Sequence, residues 1–102
     1  MYNIFKQKKI MTSIIARVVS QTDTFDVNTK DGVKPKCYIY LKEVNGDYAD
    51  DFYCSMLGPM ATCKYAEGDV VNVSLKMRTY ESNGQRHQGI EVRDIVKLNG
   101  SY

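Results

Sequence analysis

His87 is the only histidine in a chain of 102 residues, so any side-chain proton relay or nucleophile–base pair would have to be built around it. It stands beside a turn, between Arg86 and Gln88. No Gly-x-Ser-x-Gly elbow and no glycine-rich phosphate loop occurs. Asp50 and Asp51 are a carboxylate pair, but neighbouring residues of a strand point to opposite faces and cannot share a proton or a metal. Cys37, Cys54 and Cys63 are an odd number with no metal-ligand spacing between them, and one histidine does not complete a four-ligand zinc site. They read as reduced, mostly buried thiols of a reducing compartment. Neither catalysis nor a metal or other cofactor is expected.

The other chemistry on offer is adhesive. Lys36, Tyr38, Tyr40 and Lys42 alternate with Cys37, Ile39 and Leu41, and Lys76, Arg78 and Tyr80 alternate with Val71, Val73, Leu75 and Met77. Each series is a half-buried strand with rings and cations on its polar side. Flat rings stack on unpaired bases and cations neutralise phosphates, which is the mixture that binders of single strands use. Tyrosine also favours strands for reasons of packing alone, and eight tyrosines are present. Net charge is only +2, and Glu43, Asp47, Asp50 and Asp51 form an acidic patch, so global charge does not decide the matter.

The elements that must hold these residues follow from periodicity and turn signals. A chain of this length makes one domain, here residues 11–102, with residues 1–10 as an extension and Met11-Thr12 as an alternative start. No secretory signal is read, no apolar stretch is long enough to span a membrane, and a cytoplasmic location is expected. Ile14, Ile15, Val18 and Val19 mark a first strand over 12–20. Residues 21–34 are polar and read as a loop or loose hairpin end, with a turn at Asp31-Gly32. A second strand covers 35–44, and Asn45-Gly46 signals a hairpin into a third over 52–57. Gly58-Pro59 ends it, and 59–66 suits one or two helical turns. Glu67-Gly68-Asp69 turns into a fourth strand, 70–80, with Met77 on its apolar side. Ser82-Asn83-Gly84 leads to a fifth, 86–98, with Ile90, Val92, Val96 and Leu98 as its apolar positions. Its parity breaks near Arg93-Asp94, which predicts a bulge. Three strands, a short helix and a two-strand hairpin are the layout of the all-β OB-fold: a five-stranded antiparallel barrel with a short helix between strands three and four.

The second half of the chain also resembles the bacterial and phage single-stranded DNA-binding protein (SSB) family. The resemblance runs through Leu57-Gly58, the short helix and the turn Glu67-Gly68-Asp69-Val70-Val71. It continues through Leu75-Lys76-Met77-Arg78-Thr79-Tyr80, then Asn83-Gly84-Gln85-Arg86 and Glu91-Val92-Arg93-Asp94-Ile95-Val96-Lys97-Leu98. It covers about the last 45 residues, and the earlier strands agree only in pattern. The family's opening Gly-Arg pair is Ala16-Arg17 here, an aromatic before the glycine of strand three is Leu57, and tryptophan is absent. The ending Gly100-Ser101-Tyr102 carries no linker or acidic tip, as in short phage or primosomal-type relatives.

The resemblance implies that Phe52 and Tyr80 stack on bases and that Arg17, Arg78 and Arg86 contact the strand. The alternation adds Lys36, Tyr38, Tyr40, Lys42 and Lys76. Parity also puts Phe52 on the face of Cys54 and Met56, which makes it a core residue in the competing view. The expected partner is single-stranded DNA, with RNA left open, bound with little sequence preference in DNA replication, repair or recombination. The alternative is an OB-fold adaptor that binds protein, since this fold hosts many functions. A homo-oligomer, dimer or tetramer, is expected from open edges on strand one and the hairpin and from apolar residues on both faces of strand one.

Overall fold

The computed structural model describes residues 12–44 and 50–98. The extension 1–10, the Asn45-Gly46 turn, Asp47 and the C-terminal Gly100-Ser101-Tyr102 lie outside the described residues. The elements are β1 (Thr12–Gln21), β2 (Phe25–Thr29), β3 (Gly32–Glu43), β4 (Asp51–Leu57), a 3-10 turn (Gly58–Thr62), β5 (Val70–Ser82) and β6 (Gln85–Lys97).

Alternation drives the closure. Ala16 and Val18 on β1, Cys37, Ile39 and Leu41 on β3, Cys54 and Met56 on β4, Val71, Val73 and Leu75 on β5, and Val92 on β6 are all buried. Ala61 caps this core from the 3-10 turn. Removing a side chain such as Ile39 or Leu41 from water contributes roughly 1.5–3 kcal/mol. No polar or charged side chain among the described residues is buried.

The strands close in the order β1-β5-β6-β4-β3, with β3 pairing back onto β1 and β2 added outside β3. This is the OB-fold order. Five alternating strands cannot all be antiparallel around a ring, because an odd number leaves one pair of neighbours pointing the same way. That pair is β4 and β6, which run parallel and meet at a single register pair, Ser55 and Glu91. The other pairings are antiparallel, as the sequence pattern predicts.

β1 reaches two neighbours because it bends. Its first half pairs with β5 and its second with β3, with a register shift between Val18 and Ser20. The turn at Gly68 (φ 92) grips this bend: Val18 N donates to Asp69 O, and Gly68 N donates to Val18 O, both at 2.8 Å. With β1 engaged on both sides, the outer edge of β2 and the edges of the β5–β6 hairpin are the open ones. As expected, β1 carries apolar residues on both faces: Ile14 packs against the core and Ile15 is exposed.

Four local expectations are corrected. Residues 25–29 form β2, not a loop, pairing Phe25 with Lys36 through Thr29 with Gly32. Its exposed Asp26 and Asn28 hide the strand in a polar sequence, because neither of its faces reaches the core. The helix shrinks to Gly58–Thr62, and Cys63 is already extended. Residues 63–65 are then held by the Gln21 amide, which donates to Cys63 O at 2.9 Å and accepts from Tyr65 N at 2.8 Å.

Alternation predicts that Met77 continues the row of Val71, Val73 and Leu75, but it is 49% exposed, because the barrel wall ends at Leu75. On β6 it is Ile95, not Val96 or Leu98, that packs on the core. The predicted bulge explains this. Asp94 opposes Ser74 and Val92 opposes Leu75, so Arg93 is the extra residue. Val92 and Ile95 therefore share the inner face although they are three apart, and Val96 is turned outward.

Candidate functional site

On β3, burial of Cys37, Ile39 and Leu41 forces Lys36, Tyr38, Tyr40 and Lys42 onto the outer face. Register then decides which residues stand beside them. Tyr38 faces Ser55, Tyr40 faces Tyr53 and Lys42 faces Asp51 on β4. Phe25 of β2 faces Lys36. A row of rings results. Phe25 and Tyr38 have centroids 6.0 Å apart, Tyr38 and Tyr53 stack at 5.3 Å with planes 11° apart, and Tyr53 meets Tyr40 edge-on at 6.5 Å. The Lys36 ammonium lies 5.5 Å from the Tyr38 centroid, within reach of a cation–π attraction. Tyr53 is 58% exposed, so the row offers ring faces to solvent.

Tyr40 is more constrained. Its hydroxyl donates to the Asp51 carboxylate at 2.6 Å. That hydrogen bond, and then the carboxylate's charge, raise the Tyr40 phenol above its ordinary pKa, so it stays neutral through the physiological range.

The hairpin supplies the facing wall. Beyond the Lys76–Glu91 pair, where β6 still meets Ser55 of β4, the two strands pair only with each other out to Ser82 and Gln85. The Asn83-Gly84 turn that joins them has φ 53 and 77, the doubly left-handed pair that matches the twist of a two-residue hairpin. Lys76 pairs with Glu91, Arg78 with Gly89 and Tyr80 with His87, so these residues share one face of the arm. Tyr80 stacks on His87 at 5.3 Å. Arg78 Nη1 donates to Glu91 Oε2 at 3.0 Å, an ion pair about half open to water.

Between arm and barrel lies a cleft of about 420 Å³. One wall is Lys36, Tyr38, Tyr53 and Ser55, and the other is Arg78, Tyr80 and residues 88–91. Of the residues expected from sequence, Lys36, Tyr38, Arg78 and Tyr80 come together here. Lys76 stands opposite Glu91 on the same face without lining the cleft. Tyr40 continues the ring row. Lys42 lies beyond it, opposite both Asp51 and Arg17, and Arg17 also reaches Gly68 O at 3.4 Å.

Two expected residues are elsewhere. Phe52 faces Leu41 and packs against the core, as parity required. Arg86 pairs with Glu81 (3.6 Å) on the arm face opposite Tyr80.

Two rings and one acid that line or extend the cleft, Tyr53, Phe25 and Glu91, are not among the site residues expected from sequence. Tyr53 had a legible signal: if Cys54 and Met56 point inward, Tyr53 and not Phe52 points outward. Phe25 had none, because its place depends on the β2 register. Glu91 is visible only once the seam between β4 and β6 is known.

This architecture is shared with solved structures. The second OB-fold domain of replication protein A from Methanococcus maripaludis aligns with a TM-score of 0.68 at 21% identity, over 91% of this chain and 88% of that one. A small single-stranded DNA-binding protein from Streptomyces coelicolor aligns with a TM-score of 0.49 at 20% identity, over 87% of this chain and 94% of that one. The first likeness identifies the fold as an OB-fold. No family model and no curated protein sequence matches the chain.

Proposed function

We propose that the protein binds single-stranded DNA in the cleft between the β3–β4 face and the β5–β6 arm, with little overall sequence preference. The observation that carries this is the continuous row Phe25–Tyr38–Tyr53–Tyr40 facing Tyr80 across the cleft, with Lys36 and Arg78 on opposite walls. Bases in a duplex hide their faces, so exposed rings at this spacing select an unpaired strand. Every base has a π-face, and stacking is indifferent to most of the sequence. Lys36 and Arg78 follow the phosphates, with Lys76, Lys42 and Arg17 extending the charge along the same outer surface. The resemblance of the second half of the chain to the SSB family supports the same reading. Replication, repair and recombination in the cytoplasm are where such strands arise.

The test is a titration of labelled oligo-dT at two salt concentrations. Tyr38→Ala is expected to cost about 1–3 kcal/mol of binding with little salt dependence. Arg78→Ala is expected to cost less as salt rises and to flatten the log–log salt slope by roughly 0.7 for each phosphate no longer neutralised. Variants that bind like wild type at both salts would remove this face from the site. A wild type that binds neither DNA nor RNA would hand the face to a protein partner. Self-association, as dimer or tetramer, is the companion proposal: Ile15 and Val96 flank Asn72 on one exposed outer face, away from the rings. Sedimentation as a monomer at micromolar concentration would contradict it.

A further inference from the structure

Glu91 is the only acid among the described residues that line the cleft. It sits where three strands meet, opposite Lys76 on β5 and opposite Ser55 on β4. Ser55 in turn faces Tyr38, so Tyr38, Ser55, Glu91 and Lys76 form one row across four strands. Sheet spacing puts Glu91 about 10 Å from the strand that carries Tyr38. A base lying on the Tyr38–Tyr53 rings and extending toward β6 would bring its edge within reach of the carboxylate.

Resting on the binding mode above, we propose that Glu91 reads the Watson–Crick edge of one base and favours guanine over thymine. A carboxylate and a phosphate both only accept hydrogen bonds, so the part of the strand that Glu91 can hold is a donor on a base. Arg78 holds Oε2 at 3.0 Å, and among the described residues Glu91 takes no second partner. A carboxylate has about four acceptor positions, so Oε1 and part of Oε2 remain free, and the Arg78 contact fixes their direction.

Guanine carries N1–H and the 2-amino group side by side, two donors that match the two oxygens. Adenine and cytosine offer one amino donor next to a ring-nitrogen acceptor. Thymine has a single N–H between two carbonyls, both of which oppose the carboxylate. The order expected at this position is guanine, then adenine and cytosine, then thymine. Stacking still provides most of the affinity, and the preference is confined to one nucleotide of the strand.

The experiment compares short oligo-dT with the same oligomer carrying one central guanine, inosine or adenine, against wild type and Glu91→Gln. In wild type the guanine oligomer is expected to bind about five- to tenfold more tightly than oligo-dT. Inosine keeps the ring system but lacks the 2-amino group, and is expected to fall between them. Glu91→Gln is expected to bind oligo-dT more tightly, because a negative charge that lines the cleft is removed, and to lose most of the guanine advantage. Equal binding of all oligomers by wild type overturns the proposal while leaving the cleft as the site. So does a guanine advantage that survives in Glu91→Gln, or a substitution that shifts every oligomer alike, as it would if the Arg78–Glu91 pair only braced the arm. Absence of binding to any oligomer removes the binding mode itself, and this inference with it.

Discussion

The same two strands, β5 and β6, live in two environments. Within the ring, Val71, Val73 and Leu75 are at most 2% exposed and pack with Val92 and Ile95. Past Leu75, every residue from 76 to 88 is exposed. The alternation of the sequence hardly changes along the way, but its use does. In the ring it sorts side chains into and out of a core, whereas in the arm it sorts them between two wet faces. A two-stranded hairpin is at best marginal in water. The arm is supported by cross-strand contacts instead: the Tyr80–His87 stack, the Tyr80 ring covering Gly89, the Arg78–Glu91 and Arg86–Glu81 pairs, and the Asn83-Gly84 turn. Each such contact contributes only about 0.2–1 kcal/mol. Stability therefore concentrates in the ring, and the binding proposed above would fall to exposed residues that the fold can do without.

The largest test of that division is Ile39→Ala. Ile39 is fully buried, and truncation is expected to cost about 2–5 kcal/mol in urea or thermal unfolding. Below the lowered midpoint, oligo-dT affinity should be unchanged. A weaker affinity in the fully folded variant would break the separation of ring from arm.

The converse substitution is Tyr80→Ala. It is expected to lower oligo-dT affinity by about 1–3 kcal/mol and to lower stability by less than about 1 kcal/mol. A destabilisation as large as that of Ile39→Ala would mean that the arm is part of the core's cooperative unit. Native-state hydrogen exchange sharpens the same contrast without mutation. Amides of Val73 and Leu75 should exchange only through global unfolding, and those of Thr79 and Glu81 orders of magnitude faster.

The last effect concerns the thiols and is confined to alkaline pH, so at neutral pH it vanishes. Burial pushes the Cys54 thiol up to about 12. In the unfolded chain a thiol ionises near about 8.5. Between these values the unfolded state binds fewer protons than the native state, so stability falls as pH rises from about 9 toward 12 and is indifferent to this group below that window. Cys54→Ser should remove that part of the alkaline slope. In the native protein the exposed Cys63 should alkylate quickly, with Cys37 and Cys54 following only on unfolding.

How far the sequence could be read follows the same division. Where one face is buried, alternation spoke clearly: β3, β4, the inner half of β5, and even the bulge at Arg93 were legible, because a parity break in an apolar pattern has few other causes. Where no face is buried, it was silent or misleading. β2 looked like a loop, and Met77 looked like core because hydropathy does not record where a wall ends. The site divides likewise. Tyr38, Arg78 and Tyr80 were readable from strands, but Phe25 and Glu91 depend on which strand lies beside which. Resemblance chose Phe52 where parity alone favoured its neighbour Tyr53.

The meeting of Ser55 with Glu91 has a mechanical consequence. Among the described residues it is the only register pair between β4 and β6, so the hoop of strands is fastened by one clasp, whereas its other joins are long ladders. The cleft lies over that clasp, with Tyr38 and Tyr53 on one bank and Arg78 and Tyr80 on the other. An occupant that touches both banks acts as a stitch across the weakest join. Loading the cleft would then stiffen the whole hoop, and slower amide exchange along β4 and β6 in the loaded protein would report closure of the seam, whereas the rise in unfolding temperature reports the affinity alone.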